Sequence, residues 1–299
     1  MAVRSPVVRV PSSDVSGGSN LAVTAIAAPI GVPADAVDRL DRGDITLVGR
    51  MRNASNGTFL VRLDEPSYGG GSPDPAGGPS DGAADDPGPT RGESIPWGLA
   101  IYKPVRGERP LWDFEPGLHR RERAAYVLSE WSGLGVVPPT IIRRDAPLGE
   151  GSLQWFVNAD FSHHYFSIFE QRPDLHDQLR AMAAFDVMVN NTDRKGGHCL
   201  LEKAAASAGR PDHVWGIDNG LCFAESFKLR TVIWEFAGDA LESTLLEAAG
   251  AVSAGAPPEL AELLSVAEID AVQRRASMLV RSGVFPHDHS SHGYPWPLI

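Results

Sequence analysis

Two aspartates close two short apolar runs in this chain. Asp193 ends Ala183-Ala-Phe-Asp-Val-Met-Val-Asn-Asn-Thr-Asp193, in a loop of polar residues. Asp218 follows Val214-Trp-Gly-Ile217 and precedes Asn219-Gly220, a turn signal. The sites of phosphoryl transfer need such a pair. One carboxylate orients or deprotonates an acceptor hydroxyl, and the other holds a metal that bridges the phosphates. Lys103 is a third candidate, at the end of Leu99-Ala-Ile-Tyr-Lys103. In a strand Leu99, Ile101 and Lys103 share one face, so the lysine ends an apolar stripe and can reach into a cleft.

The frame that must carry these residues is legible in pattern. Residues 1–34 are rich in Ser, Pro, Val and Gly without periodicity and read as a disordered leader. Residues 32–42 fit a short helix ended by Gly43. Strand, turn and strand follow over 45–63, the turn being Asn53-Ala-Ser-Asn-Gly57. Residues 64–94 are Gly/Pro/Asp/Ser-rich and read as a disordered insertion, because strand-like sequence resumes at 96–104. A helix is expected over 116–131, with Ala124, Val127, Leu128 and Trp131 as its apolar stripe. Strands are expected over 136–142 and 152–157. Helices then dominate: 174–188, 241–252, 257–264 and 267–280. This is an α+β pattern with a strand-rich lobe (35–157), a helical lobe (158–284), a tail (285–299) and a cleft between the lobes.

Bulk properties exclude several classes. The chain has 38 acidic against 27 basic residues, a net charge of -11. That argues against nonspecific nucleic-acid binding, which needs a basic footprint. No run approaches the roughly 18 apolar residues of a membrane span. The apolar stretch Leu21–Ile30 lies too far from a basic start for a signal peptide. The two cysteines, Cys199 and Cys222, read as buried free thiols in a reducing cytoplasm, and no spacing suggests zinc.

Asn191-Thr-Asp-Arg194 and Ile217-Asp-Asn-Gly-Leu221, in this order with the aspartates 25 positions apart, carry a family resemblance. The chain resembles the phosphatidylinositol 3-/4-kinase-like superfamily of atypical kinases. In style it is similar to the type II phosphatidylinositol 4-kinases and to an actinobacterial group of uncharacterised relatives. The resemblance runs from about Asp44 to Phe223. It implies a two-lobed kinase-like fold, with ATP and Mg²⁺ (or Mn²⁺) as cofactors. It implies that Lys103 neutralises phosphate oxygens and that Glu122 is the helix glutamate that pairs with it. Helical geometry leaves open whether Glu122 faces the strands or solvent. Ser55, in the hairpin turn, would lie over the phosphates. Gln154, Phe156 and Val157 would form the interlobe connector, whose backbone meets adenine. Asp193 would be the catalytic carboxylate, with Arg194 beside it pairing a carboxylate or the transferred phosphoryl group, and Asp218 the metal ligand.

One position departs from the family. An asparagine usually stands five residues after the catalytic aspartate and contacts a second metal. Here it is His198. An imidazole there could bind Mg²⁺ poorly, favour Mn²⁺, contact phosphate, or mark a degenerate site. The expected function is an ATP-dependent kinase acting on a protein, small-molecule or lipid hydroxyl. A nucleotide-binding pseudokinase serving as a regulatory module is the second reading. Nucleotidyl transfer on a kinase scaffold is a third.

Overall fold

Period-two alternation decides the N-terminal half. Strands β1 (Asp44–Arg50), β2 (Phe59–Asp64), β3 (Gly98–Pro104), β4 (Thr140–Arg143) and β5 (Gly151–Trp155) make one antiparallel sheet in the order β1-β2-β3-β5-β4. The structure is a computed structural model that describes residues 7–8, 26–27, 31–51, 56–66, 96–111, 114–204, 211–288 and 292–299. Residues 67–94 of the expected insertion and most of the expected leader lie outside these residues, as does Ser55. On one face of the sheet Val61, Leu63, Ala100, Tyr102, Leu153 and Trp155 pack under Ala36 and Leu40 of α1 (Ala36–Arg42). On the other, Leu60 and Leu99 pack with Val48, Met51, Ile101 and Phe156. Alternation puts Lys103 on this second face, in line with Leu99 and Ile101. Gly98 is required here, because a Cβ would sit 2.6 Å from the Trp155 ring.

The fourth strand starts later than expected. Pro138-Pro139 cannot donate ladder hydrogen bonds. The Val136 and Val137 amides instead donate to Ser129 Oγ at 2.8 and 3.1 Å, tying this segment to the last turn of helix α2 (Leu118–Trp131). The expected stripe of α2 also needs correction. Ala124, Val127 and Leu128 are buried, but Trp131 is 41% exposed. Leu118, His119, Arg121, Glu122 and Ala125 are buried as well, because α2 is covered by β4 and β5 on one side and by helical elements on the other.

The C-terminal half is helical around one core. It contains α3 (Tyr165–Gln171), α4 (His176–Val189), a hairpin of β6 (Cys199–Glu202) with β7 (His213–Gly216), α5 (Ser243–Ala254), α6 (Leu260–Leu263) and α7 (Val266–Ser282). The fold is α+β. Helix α3 was not expected; its seven residues lie in an aromatic stretch with no polar face to mark a period. The described part of the expected tail lies against the domain. Phe285 is buried, Gly293 O accepts from Thr231 N at 2.9 Å, and Leu298 O accepts from Gly196 N at 2.7 Å. Among the described residues no helix is long and apolar enough to cross a membrane.

Helix α2 has an unusual anchor. Glu108 accepts from Gly117 N and His119 N, each at 3.0 Å, which satisfies two amides at the helix start. Burial opposes ionisation of Glu108, but the His119 ring and these amides overcome it and hold the carboxyl down to about 2. Its ordinary value is 4.5, so its folded pKa is depressed. The stabilisation is therefore present above 4.5 and is lost as pH falls towards 2. We expect Glu108→Ala to cost about 1–2 kcal/mol at neutral pH. In denaturant unfolding, the gap between variant and wild type should close as pH falls through that window. An unchanged gap would show that Glu108 is not the anchor.

Candidate active site

A two-stranded ladder brings the second aspartate to the first loop. Cys199 pairs with Gly216, and one step further Ile217 N donates to His198 O at 3.0 Å. The chain then turns at Asp218 with a φ of 59°, a left-handed conformation that aspartate tolerates better than most residues. The turn aims the Asp218 carboxylate back at the sheet.

Lys103 meets it there. Its Nζ lies 2.6 Å from Asp218 Oδ1 and also pairs with Glu122 Oε1. The other Glu122 oxygen accepts from Asn219 N at 3.1 Å, so one buried carboxylate grips both the lysine and the turn. Glu122 is 3% exposed, Lys103 21% and Asp218 50%. Helix α2 thus presents Glu122 inward, which the sequence left open. Burial by itself would lower the Lys103 ammonium, but Asp218 and Glu122 override it and raise it. Lys103, against the effect of burial, holds Asp218 well below the usual carboxylate range.

Asp193 stands on the neighbouring loop. Its amide donates to Asn191 Oδ1 at 2.9 Å, and its carboxylate pairs with Lys195 Nζ. Burial pushes the Asp193 carboxyl up despite Lys195, and the charge of Asp218 adds to the rise. Lys195 is a site residue that sequence reasoning missed. Its signal was its place two residues after Asp193, one peptide step beyond Arg194. His198 sits between the two aspartates: Nδ1 lies 3.0 Å from Asp193 O and Nε2 lies 3.4 Å from Asp218 Oδ2. Burial, with Arg194, Lys195 and Lys103 nearby, holds its pKa down to about 4 although Asp218 opposes this, so the ring is neutral at neutral pH.

Arg194 is a correction in part: it is fully buried, and of the two partners expected for it, it pairs a carboxylate and faces no solvent. Its Nε and Nη2 bond the Asp186 carboxylate at 3.0 Å, Nη1 donates to Ile217 O at 2.7 Å and Nη2 to Asn219 Oδ1 at 2.8 Å. Gly216 leaves room for this, since a Cβ there would lie 3.2 Å from Nη2. Arg194 therefore holds α4 and the Asp218 turn together from inside. Gln154 is the second correction. It lies within β5, in register with Ile101 and Thr140, and its Nε2 donates to Thr140 Oγ1 at 2.9 Å. The Phe156 amide is committed to Leu99 O at 3.0 Å. Val157 lies past the strand, and nothing among the described residues accepts from its amide.

No three His, Cys, Asp or Glu side chains among the described residues converge to cage a metal by themselves. Asp218 Oδ2 and His198 Nε2 are the donors that face one another. Two protein donors suit a cation whose remaining ligands are phosphate oxygens and water.

The buried pair generates a stability prediction. Arg194→Met leaves Asp186 uncompensated and should cost about 3–5 kcal/mol. Asp186→Leu should cost a similar amount. The double substitution should cost clearly less than the two summed, because neither leaves a lone charge. Denaturant unfolding of the four proteins reads this directly, and simple additivity would refute the pairing.

The chain matches no protein-family model. Solved structures similar in chain path include the Golgi casein kinase with Mn/ADP bound, at a TM-score of 0.48 and 13% identity, covering 89% of this chain and 80% of that one. Hydra Fam20 with sugar is similar at a TM-score of 0.48 and 13% identity, covering 85% and 92%. The Helicobacter pylori proinflammatory kinase CtkA is similar at 0.41 and 10%, covering 82% and 94%. In sequence the chain is 35% identical over 295 residues to Protein Rv2133c of Mycobacterium tuberculosis (strain ATCC 25618 / H37Rv). That alignment covers 86% of this chain and 93% of the relative, and the chain belongs to the family of Protein Rv2133c.

Proposed function

We propose that this chain is an ATP-dependent phosphotransferase of the phosphatidylinositol 3-/4-kinase-like class. It would move the γ-phosphoryl group to a hydroxyl of a protein, small-molecule or lipid acceptor. One observation carries the reading: Lys103 Nζ is shared between a buried glutamate on α2 and a half-exposed aspartate beyond the β6–β7 hairpin. Asp218 is half open to solvent, so the outer end of the chain of charges is within reach of a ligand. An ammonium held by two carboxylates in a cleft can turn to the oxygens of a triphosphate without leaving its socket.

The remaining roles follow from position. The apolar patch of Leu60, Leu99, Ile101 and Phe156, on the Lys103 face of the sheet, suits a nucleobase, and the Val157 amide suits its polar edge. Asp218 would be the ligand of Mg²⁺ or Mn²⁺, which when bound supplies charge neutralisation between the β- and γ-phosphates. Asp193, raised by burial, suits the acceptor hydroxyl. In the transfer, the bond from the γ-phosphorus to the bridging oxygen breaks and the acceptor oxygen bonds to phosphorus. The acceptor proton passes to Asp193, and ADP leaves. Lys195 would keep the Asp193 carboxylate in place while the site is empty of acceptor.

Incubation of the full chain with labelled ATP, a divalent metal and cell lysate, followed by mass spectrometry, tests this. Asp218→Ala should lose metal-dependent ATP binding. Asp193→Asn should keep binding and lose transfer by about 10²-fold or more. Equal transfer by Asp193→Asn and wild type would sink the assignment of Asp193. Tight binding without transfer to any acceptor would favour a pseudokinase module, and release of pyrophosphate instead of ADP would mean nucleotidyl transfer.

A further inference from the structure

Residues 293–299 bridge the two segments that frame Asp193. The Asp193 loop and the 230–232 segment run side by side. Arg230 N donates to Asn191 O at 2.9 Å, Arg194 N to Arg230 O and Val232 N to Arg194 O, the last two at 3.0 Å. Arg194 and Thr231 are the bridged pair, and both side chains turn inward to Asp186. The Thr231 amide is left on the outer edge of this pairing and donates to Gly293 O at 2.9 Å. Trp234 Nε1 donates to the same oxygen at 3.0 Å. Further along, Leu298 O accepts from Gly196 N at 2.7 Å, one residue past Lys195, whose ammonium pairs with Asp193. Gly196 suits this close approach, since a Cβ there would lie 3.3 Å from Leu298 O and 3.4 Å from the Phe166 ring.

The main chain does most of the holding. Pro295 is buried, but Tyr294, Leu298 and Ile299 are exposed and Trp296 is 88% exposed. Among the described residues the hydrogen bonds of 293–299 are those above, and carbonyl oxygens accept all of them. Apolar side chains left in water contribute little to fastening a segment. Its release bares the Gly196 and Thr231 amides, on separate elements that adjoin Asp193. An extended polypeptide satisfies two such separated amides with its own carbonyls, through bonds that ignore side-chain identity. A lipid headgroup or small metabolite carries no matching pair of carbonyls.

We propose that residues 293–299 are a displaceable strap on a polypeptide-docking seat, and that the acceptor is a protein segment that takes the strap's place and brings a Ser, Thr or Tyr hydroxyl to Asp193. The proposal rests on the phosphotransferase reading and names its acceptor class. The γ-phosphorus of ATP bonds to the side-chain oxygen, its bond to the bridging oxygen breaks, the hydroxyl proton passes to Asp193, and ADP leaves.

Hydrogen exchange on the full chain, read amide by amide by NMR, tests the strap without any variant. Corrected for intrinsic rates, Gly196 and Thr231 should exchange at least about tenfold faster than Arg194 and Val232, whose amides stay in the pairing that remains when the strap leaves. Pro295→Asp puts a charge at the buried residue of the strap. It should strip protection from Gly196 and Thr231 and spare Arg194 and Val232, and a synthetic copy of residues 292–299 should restore it. With labelled ATP, a divalent metal and lysate, the variant should label polypeptides several-fold faster than the wild type, and the synthetic copy should slow it. Equal protection of Gly196, Thr231, Arg194 and Val232 in the wild type overturns the strap. Label confined to lipids or small molecules, or polypeptide labelling unmoved by variant and synthetic copy, overturns the docking seat. Each of these leaves the phosphotransferase reading standing. A strap that opens and rebinds on a chain that transfers to nothing overturns that reading, and the acceptor assignment with it.

Discussion

A guanidinium with no exposure must be neutralised where it lies, and the site is built on how Arg194 meets that demand. Asp186, on the last turns of α4, supplies the charge. The remaining donors go to Ile217 O and Asn219 Oδ1, on either side of Asp218. Backbone bonds continue the brace: Arg194 N donates to Arg230 O, and Val232 N to Arg194 O, both at 3.0 Å. Helix, first loop, Asp218 turn and following segment thus share one buried charge pair. Such a pair adds little net stability over an apolar replacement, yet losing one partner is costly. Its consequence is geometric. The loop of Asp193 and the turn of Asp218 cannot drift apart without stranding a charge in the core.

The second charge cluster is the opposite in kind. Lys103, Glu122 and Asp218 form a chain of alternating sign that runs from the interior to the surface. The buried end is fixed, because Glu122 holds Asn219 N as well as the lysine. Arg121, one residue earlier on α2, donates to Cys222 O at 2.7 Å and tightens the same junction. Helix α2 is therefore fastened to the turn at two adjacent residues, and moving the helix moves the lysine's partner and the Asp218 turn together. On the proposed reading, the exposed end is where ligand charge enters, and the site can exchange partners without exposing the buried glutamate.

Sheet and major helices were legible because their apolar residues repeat at two or at 3.6 and little competes with that signal. Lys103 was legible for the same reason: parity along β3 assigns it a face. Chain adjacency misled at Arg194. Beside Asp193, it read as a partner in chemistry, but neighbouring residues on a loop point apart, and no pattern said that one pointed inward. Glu122 was ambiguous because a helix covered on two sides has no single apolar stripe, so the usual test of facing fails. His119, Glu108 and the 285–299 segment were missed as structural anchors. Their hydrogen bonds join residues far apart or lack periodicity, and composition alone made the tail look solvated. Gln154 was misplaced because the strand runs on to Trp155, and a residue paired on both sides within a sheet has no backbone group to spare.

The two aspartates matter because their surroundings move them in opposite directions. Asp218 is held ionised by Lys103, while burial makes Asp193 readier to accept a proton. Carboxylates driven apart in this way divide labour, one as a fixed anion and one as a proton acceptor. The division depends on the two being close, since the charge of Asp218 contributes to the rise at Asp193. A cation bound at Asp218 would remove part of the repulsion on Asp193 and lower its readiness. Lys195 would lower it further whenever it stays engaged. On the proposed reading, metal, nucleotide and acceptor are therefore not independent at this site. Each ligand alters the proton affinity of the carboxylate that serves the next, through contacts the Arg194–Asp186 pair keeps in register.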